Sequence, residues 1–151
     1  MPRPPADNLQ AAVSELQLQG IDKLVCLLEV DESQSLGLTH ERSVCEAAGI
    51  NFERLAIPDF GVPLFTELYS LVERLTEDLA TGHNIVVHCR GGIGRTGLIC
   101  CCIAITAGMD TSGAIEFVTA QRNCTVPETD MQLAMIDQFA THWRASSNTD
   151  V

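Results

Sequence analysis

Lysine is almost missing from this chain: Lys23 is the only one in 151 residues. With nine Lys plus Arg against twenty Asp plus Glu, the net charge is −11 and the isoelectric point is about 4.5. So acidic a balance leaves no basic face for nucleic acid or for an anionic membrane surface. There is no CxxC pair, although there are seven cysteines, an odd count that includes the consecutive Cys100, Cys101 and Cys102. That pattern excludes an ordered disulfide framework and predicts reduced thiols in a cytoplasmic protein. The start, MPRPPADN, lacks the apolar stretch of a secretory signal, and the longest apolar run, Leu98 to Ala107, is too short to span a membrane. Gly-Lys-Ser/Thr is absent, which removes the ATPase phosphate loop. No repeat or low-complexity tract is visible.

What remains is 46% apolar and 19% charged, the composition of a folded globular protein. Its length predicts one domain over residues 1–151, with 1–6 and 146–151 fraying. Leu9, Ala12, Val13 and Leu16 recur at helical spacing, with Asp7 as N-cap and Gly20 as stop. Lys23 to Leu28 reads as a buried strand, and a polar loop over Glu29 to Leu38 leads to a short helix from about Thr39 to Ala48. Asn51 to Ile57 is a second strand, followed by a loop bracketed by Pro58 and Pro63. An amphipathic helix from Leu64 to about Leu79 precedes a third strand, Ile85 to His88. A helix apolar on nearly all sides follows Arg95, then two more, roughly Ser112–Arg122 and Thr129–Arg144. Strands alternating with helices predict an α/β fold: a short, mostly parallel sheet with helices on both faces. Ligands bind such sheets beyond the carboxyl ends of the strands, where the loops Pro58–Pro63 and Cys89–Arg95 both fall.

The second loop lies in the segment VVHCRGGIGRTG, Val86 to Gly97. Gly92 to Gly97 fits the G-x-G-x-x-G dinucleotide fingerprint, but no later strand carries the acidic residue that such a site requires. A plain structural turn would explain one cysteine among glycines, but not His88, Cys89, Gly91, Gly92, Gly94, Arg95 and Thr96 in this register. The remaining reading is a phosphate cradle. Glycines let successive amides of Arg90, Gly91, Gly92, Ile93 and Gly94 turn inward around an anion. The helix starting near Arg95 adds its N-terminal dipole, and Arg95 supplies a planar fork for two phosphate oxygens. A thiol at the floor of that positive well ionises more readily, so Cys89 is the candidate nucleophile.

These residues, His88-Cys89, five intervening residues, then Arg95-Thr96-Gly97, resemble the signature loop of the cysteine-dependent protein tyrosine phosphatase superfamily. The short chain is similar to its small dual-specificity, kinase-associated-phosphatase-like branch, over about Leu24 to Phe139. The resemblance implies a phosphoester hydrolase without metal or other cofactor, with the loop between a central strand and a buried helix.

An aspartate in a Pro/Gly loop is by default a turn residue, but Asp59, 30 residues before Cys89, is similar in place to the family's acid loop. It is the candidate proton donor, with Phe60 lining the rim. Thr96 is either a helix cap or a hydrogen-bond donor to the departing sulfur. His88 is an orienting residue rather than a proton carrier. Glu128-Thr129-Asp130-Met131-Gln132 resembles the family segment whose glutamine positions the hydrolytic water, the alternative being an exposed helix Gln132. Arg122 is either at the rim or a solvated helix end. Cys26 and Cys124 are candidate oxidation partners of Cys89, and Cys100, Cys101 and Cys102 are core packing.

The chain is too short for the aromatic wall of deep phosphotyrosine pockets, so the expected substrates are phosphotyrosine and phosphoserine/phosphothreonine proteins or peptides. Phosphate and other oxyanions would compete at the loop. A phosphoinositide or inositol phosphate is the second reading; related enzymes carry lysines in the loop where Arg90 and Ile93 stand here. RNA 5′-triphosphatase activity is disfavoured by Asp59 and the acidic charge. A silent phosphopeptide-binding module is disfavoured by the joint presence of Cys89, Arg95 and Asp59.

Overall fold

Short apolar strands and longer amphipathic helices set the layers. In a computed structural model, whose described residues are 1–147, three parallel strands lie in the order β2–β1–β3: β1 (Lys23–Cys26), β2 (Asn51–Arg54) and β3 (Ile85–His88). β1 is the centre because its side chains are apolar on both faces; Leu24, Val25 and Cys26 are fully buried. The registers Cys26↔Arg54 and Cys26↔His88 align the carboxyl ends of all three strands. The strand leading to Cys89 therefore flanks the central one. It had been expected to be central itself, but β1 is apolar on both faces and takes that place.

The helices are α1 (Leu9–Leu18), α2 (Val30–Ser35), α3 (Glu41–Ala47), α4 (Phe65–Ala80), α5 (Gly94–Thr106), α6 (Thr111–Arg122) and α7 (Asp130–Ser147). α4 buries Leu68, Leu71, Val72 and Leu75, a stripe at i, i+3, i+4, i+7. α5 is buried nearly all round, as its apolar sequence requires, and packs against α4, α6 and α7.

Some local expectations fail for identifiable reasons. Val30 to Ser35, read as loop, is helical: Ser33 and Leu36 amides close turns onto Glu29 and Glu32 carbonyls. Asp7 lies inside a 3₁₀ turn, Ala6–Asn8; the residue before α1 is Asn8, without a side-chain cap. β2 ends at Arg54, yet the Leu55 and Ile57 amides still donate to Cys26 and Leu27 carbonyls at 3.1 Å each, so the extended run continues as expected without regular pairing. Of residues 1–6, expected to fray, Met1 to Arg3 lie along the Cys89 loop: the Met1 ammonium donates to the Val87 carbonyl (2.6 Å) and the Arg3 amide to the Arg90 carbonyl (3.2 Å). At the other end Ser146 and Ser147 belong to α7, and 148–151 lie outside the described residues. No helix among the described residues is long and apolar enough to cross a membrane.

Candidate active site

Cys89 leaves the carboxyl end of β3 and is buried, 3% exposed, at the floor of the loop that runs into α5. Gly92 adopts φ +72°, a conformation costly to residues with a Cβ, and this aims its amide at Cys89 Sγ (3.2 Å). Thr96 is buried, and its hydroxyl has no conventional oxygen or nitrogen partner; it interacts with the sulfur. Burial, the largest influence on Cys89, raises its pKa. The Thr96 hydroxyl and amide, the Gly92 amide and the Arg95 charge together overcome it and bring the thiol below its ordinary value. The helical thiols go the other way: burial pushes Cys101 up to about 12 and Cys102 well above the ordinary thiol value. They are core, as the sequence suggested.

Arg95, 2% exposed, is held from two elements absent from the loop motif. Its Nη1 donates to Glu32 Oε2 (2.7 Å) and to the Ile57 carbonyl (3.0 Å). Its Nη2 donates to Glu32 Oε1 (2.9 Å) and to Asp59 Oδ1 (3.0 Å). The end of the guanidinium is thus clamped by Glu32 on α2, whose own carboxyl is held low chiefly by these Arg95 hydrogen bonds. Nε–H has no partner among the described residues. The side that remains for a phosphate is Nε with Nη2, where Asp59 already sits. A phosphate bound along that edge would take the place of Asp59 on Nη2, with the carboxyl then beside it. Asp59 is 43% exposed and its Oδ1 also accepts the Phe60 amide (3.1 Å).

The acid loop is tied to the start of α7. Phe60 has φ +58°, unusual for an aromatic residue; its carbonyl accepts the Thr129 hydroxyl (3.3 Å), and the Gly61 carbonyl accepts Gln132 Nε2 (3.1 Å). Gln132 is fully buried rather than an exposed helix side chain, with Oε1 taking the Glu128 amide (3.1 Å). Glu128 Oε2 in turn accepts the Gly94 amide (2.9 Å), so this amide, expected to turn inward around an anion, is instead engaged by a carboxylate from the segment before α7. Phe60 is exposed at the mouth.

Arg122 belongs to the loop's surroundings, its Nη2 donating to the Gly92 carbonyl (2.9 Å). Ile93 is the residue before α5, half-buried, while Arg90 is exposed. His88 is buried beneath the loop, with Nδ1 on the Cys89 carbonyl (3.1 Å) and Nε2 2.8 Å from Glu41 Oε1. Cys26 joins that pair, and Cys26, Glu41 and His88 are the one group of three potential metal ligands among the described residues, within 4.8 Å of one another. Its close His–Glu ion pair already satisfies the charges that would otherwise draw in a cation. Cys26 and Cys124 are free thiols, Cys124 half-buried.

The sequence missed Glu32 and Glu41 and gave Glu128 no task. Glu32 lay in a stretch read as loop, and Glu41 looked like one of twenty acidic surface residues. Only full burial of Glu41 and the reach of Arg95 single them out.

A family model described as Tc-R-P, a polymorphic toxin system DSP-PTPase phosphatase, matches residues 1–109. The protein tyrosine phosphatase domain-containing protein 1 of Mus musculus is 31% identical over 150 residues, 92% of this chain and 20% of that protein. The chain spans between 14% and 20% of the length of this relative and its fish and cattle counterparts. A crystal structure of kinase associated phosphatase, with serine replacing its catalytic-site cysteine, superposes with a TM-score of 0.83 at 22% identity, covering 90% of this chain and 78% of that one. PTPMT1 in complex with PI(5)P gives 0.82 at 20% identity, covering 97% and 91%.

Proposed function

Because this chain belongs to the Tc-R-P family of DSP-PTPase phosphatases, we propose that it hydrolyses phosphotyrosine, and phosphoserine or phosphothreonine, in proteins through a phosphocysteine intermediate. One observation carries this: the Cys89 thiol is buried at the floor of the loop with the Gly92 amide 3.2 Å from its sulfur, in the same pocket as an Arg95 clamped by Glu32 and shared with Asp59. The Cys89 thiolate attacks phosphorus in line, the P–O bond to the substrate breaks, and Asp59 gives its proton to the departing oxygen. Water then attacks the phosphocysteine; Asp59 takes its proton, the S–P bond breaks, and Thr96 stabilises the returning thiolate. Gln132 reaches that water only by releasing its bonds to the Gly61 carbonyl and the Glu128 amide, which hold it buried in this structure. Arg95 and the amides of Arg90 to Ile93 hold the equatorial oxygens in both steps, a preorganised electrostatic site; the Gly94 amide is held by Glu128 instead.

The open mouth supports substrates of varied reach: Asp59 and Phe60 are exposed, at 43% and 58%. The PI(5)P complex of the similar PTPMT1 fold keeps a phosphoinositide as the second reading. The free thiols suit a reducing, cytoplasmic setting.

The test is hydrolysis of para-nitrophenyl phosphate, expected in the wild type and abolished by Cys89→Ser, followed by a panel of phosphotyrosyl peptide, phosphothreonyl peptide and phosphoinositide. Turnover of the peptides supports the reading. Binding without turnover would make the chain a phosphopeptide module, and turnover of phosphoinositide alone would move it to the second reading.

A further inference from the structure

Under the cradle lies a charged pair that the proposed chemistry does not use. Glu41, in the first turn of α3, is 0% exposed, and so is His88. Placing a carboxylate there costs several kcal/mol unless a positive partner compensates it, and its charge partner is His88 Nε2 at 2.8 Å. The contact is off-axis for a hydrogen bond, so charge rather than directional bonding carries it. At the opposite side of the ring, Nδ1 lies 3.1 Å from the Cys89 carbonyl. A carbonyl oxygen can only accept, so Nδ1 carries a proton; the carboxylate favours a second proton on Nε2.

We propose that Glu41 is a positioning residue for the nucleophile: buried against His88 Nε2, it keeps the imidazole doubly protonated, so that a charged Nδ1–H fixes the Cys89 carbonyl and with it the first turn of the loop. The link to the cradle is covalent and short. The Cys89 carbonyl shares a peptide plane with the Arg90 amide, the first donor of the loop, so pinning that oxygen also sets the direction of that N–H. The groups facing the ring are Glu41 from α3, the Cys26 thiol from β1 and the loop itself. Cys45 lies near Glu41 and Cys26 and stays a thiol, pushed up to about 12 mainly by burial and then by Glu41. Burial alone would lower the His88 value, but contact with Cys26 and Glu41 raises it to about 10.

This rests on Cys89 being the nucleophile, and its test needs no substrate. Glu41→Gln keeps the shape and still allows a neutral ring to donate through Nδ1, so it removes the charge alone. The rate of Cys89 alkylation by iodoacetamide, read by peptide mass spectrometry from pH 4 to 9, reports the thiolate. In Glu41→Gln the midpoint is expected to rise by about one pH unit, an on-the-order-of-tenfold loss of reactivity at pH values below the wild-type midpoint. Nitrogen NMR of His88 in the wild type is expected to show both ring nitrogens protonated at pH 8, whether or not the variant folds. A neutral His88 in the wild type, or an unmoved alkylation midpoint in a folded variant, overturns the proposal. Absence of phosphatase turnover with both results as expected would sink the proposed function and leave this inference standing.

Discussion

A single guanidinium organises the candidate site, and its donors can be counted. Glu32 and the Ile57 carbonyl take both Nη1 protons, Glu32 takes one Nη2 proton, and Asp59 takes the other until a phosphate arrives. A charge-assisted hydrogen bond is worth about 1.5–3 kcal/mol, and the forked pair also fixes orientation. Glu32→Gln is therefore expected to weaken orthovanadate inhibition about tenfold or more, at the low end of that range, and to raise KM more than it lowers kcat. Competition against para-nitrophenyl phosphate measures both; unchanged vanadate affinity would show that the clamp does not organise the fork. The same residue-scale view explains how one thiol of seven is singled out. Cys89 gains Thr96, Gly92 and Arg95 as partners against its burial, whereas Cys101 meets burial and only a neighbouring thiol and is pushed up to about 12.

At the scale of elements, the cradle is held where α5 meets the segment before α7. Gly97, in the second turn of α5, faces Val126 so closely that an added Cβ would stand 2.8 Å from the Val126 Cβ. Neither the buried helix nor a side chain branched at that carbon can give way easily. Gly97→Ala is expected to destabilise the fold by about 1–3 kcal/mol, the usual cost of overpacking, visible as a lower Tm. Because Val126 leads into Glu128 and Gln132, catalytic turnover should fall with it even below the melting range. An unchanged Tm would mean that this junction is looser than its geometry. Helix α2 makes the complementary point: it is six residues long and carries no strong helical pattern, yet it delivers the clamp to Arg95. A short polar segment is indistinguishable from loop by periodicity, because too few turns exist to show one.

Across the whole molecule, the candidate anion site is set within a net charge of −11. Loop amides, the start of α5 and Arg95 make the site positive locally, while the outer field repels anions at longer range. Substrate phosphopeptides with basic flanks are thus expected to show a higher kcat/KM than acidic ones. Added salt should lower the first and raise the second as screening sets in within ~10 Å at 0.1 M. Salt responses of equal sign for both peptides would refute this. Apart from α2, the element order was legible in the sequence, as were the loop from Cys89 to Arg95 and the Pro-bracketed loop around Asp59, because each is carried by neighbours along the chain: apolar spacing, glycines, prolines. The sequence also determined that the protein is acidic, with no regular disulfide pattern. Only the tertiary structure decided that β1 takes the centre of the sheet, that Met1 to Arg3 lie along the loop, and that Glu32 and Glu41 are held against Arg95 and His88. Those assignments depend on burial and on contacts between residues 63 and 47 positions apart. A carboxylate looks the same in a sequence whether water surrounds it or a single arginine or histidine does.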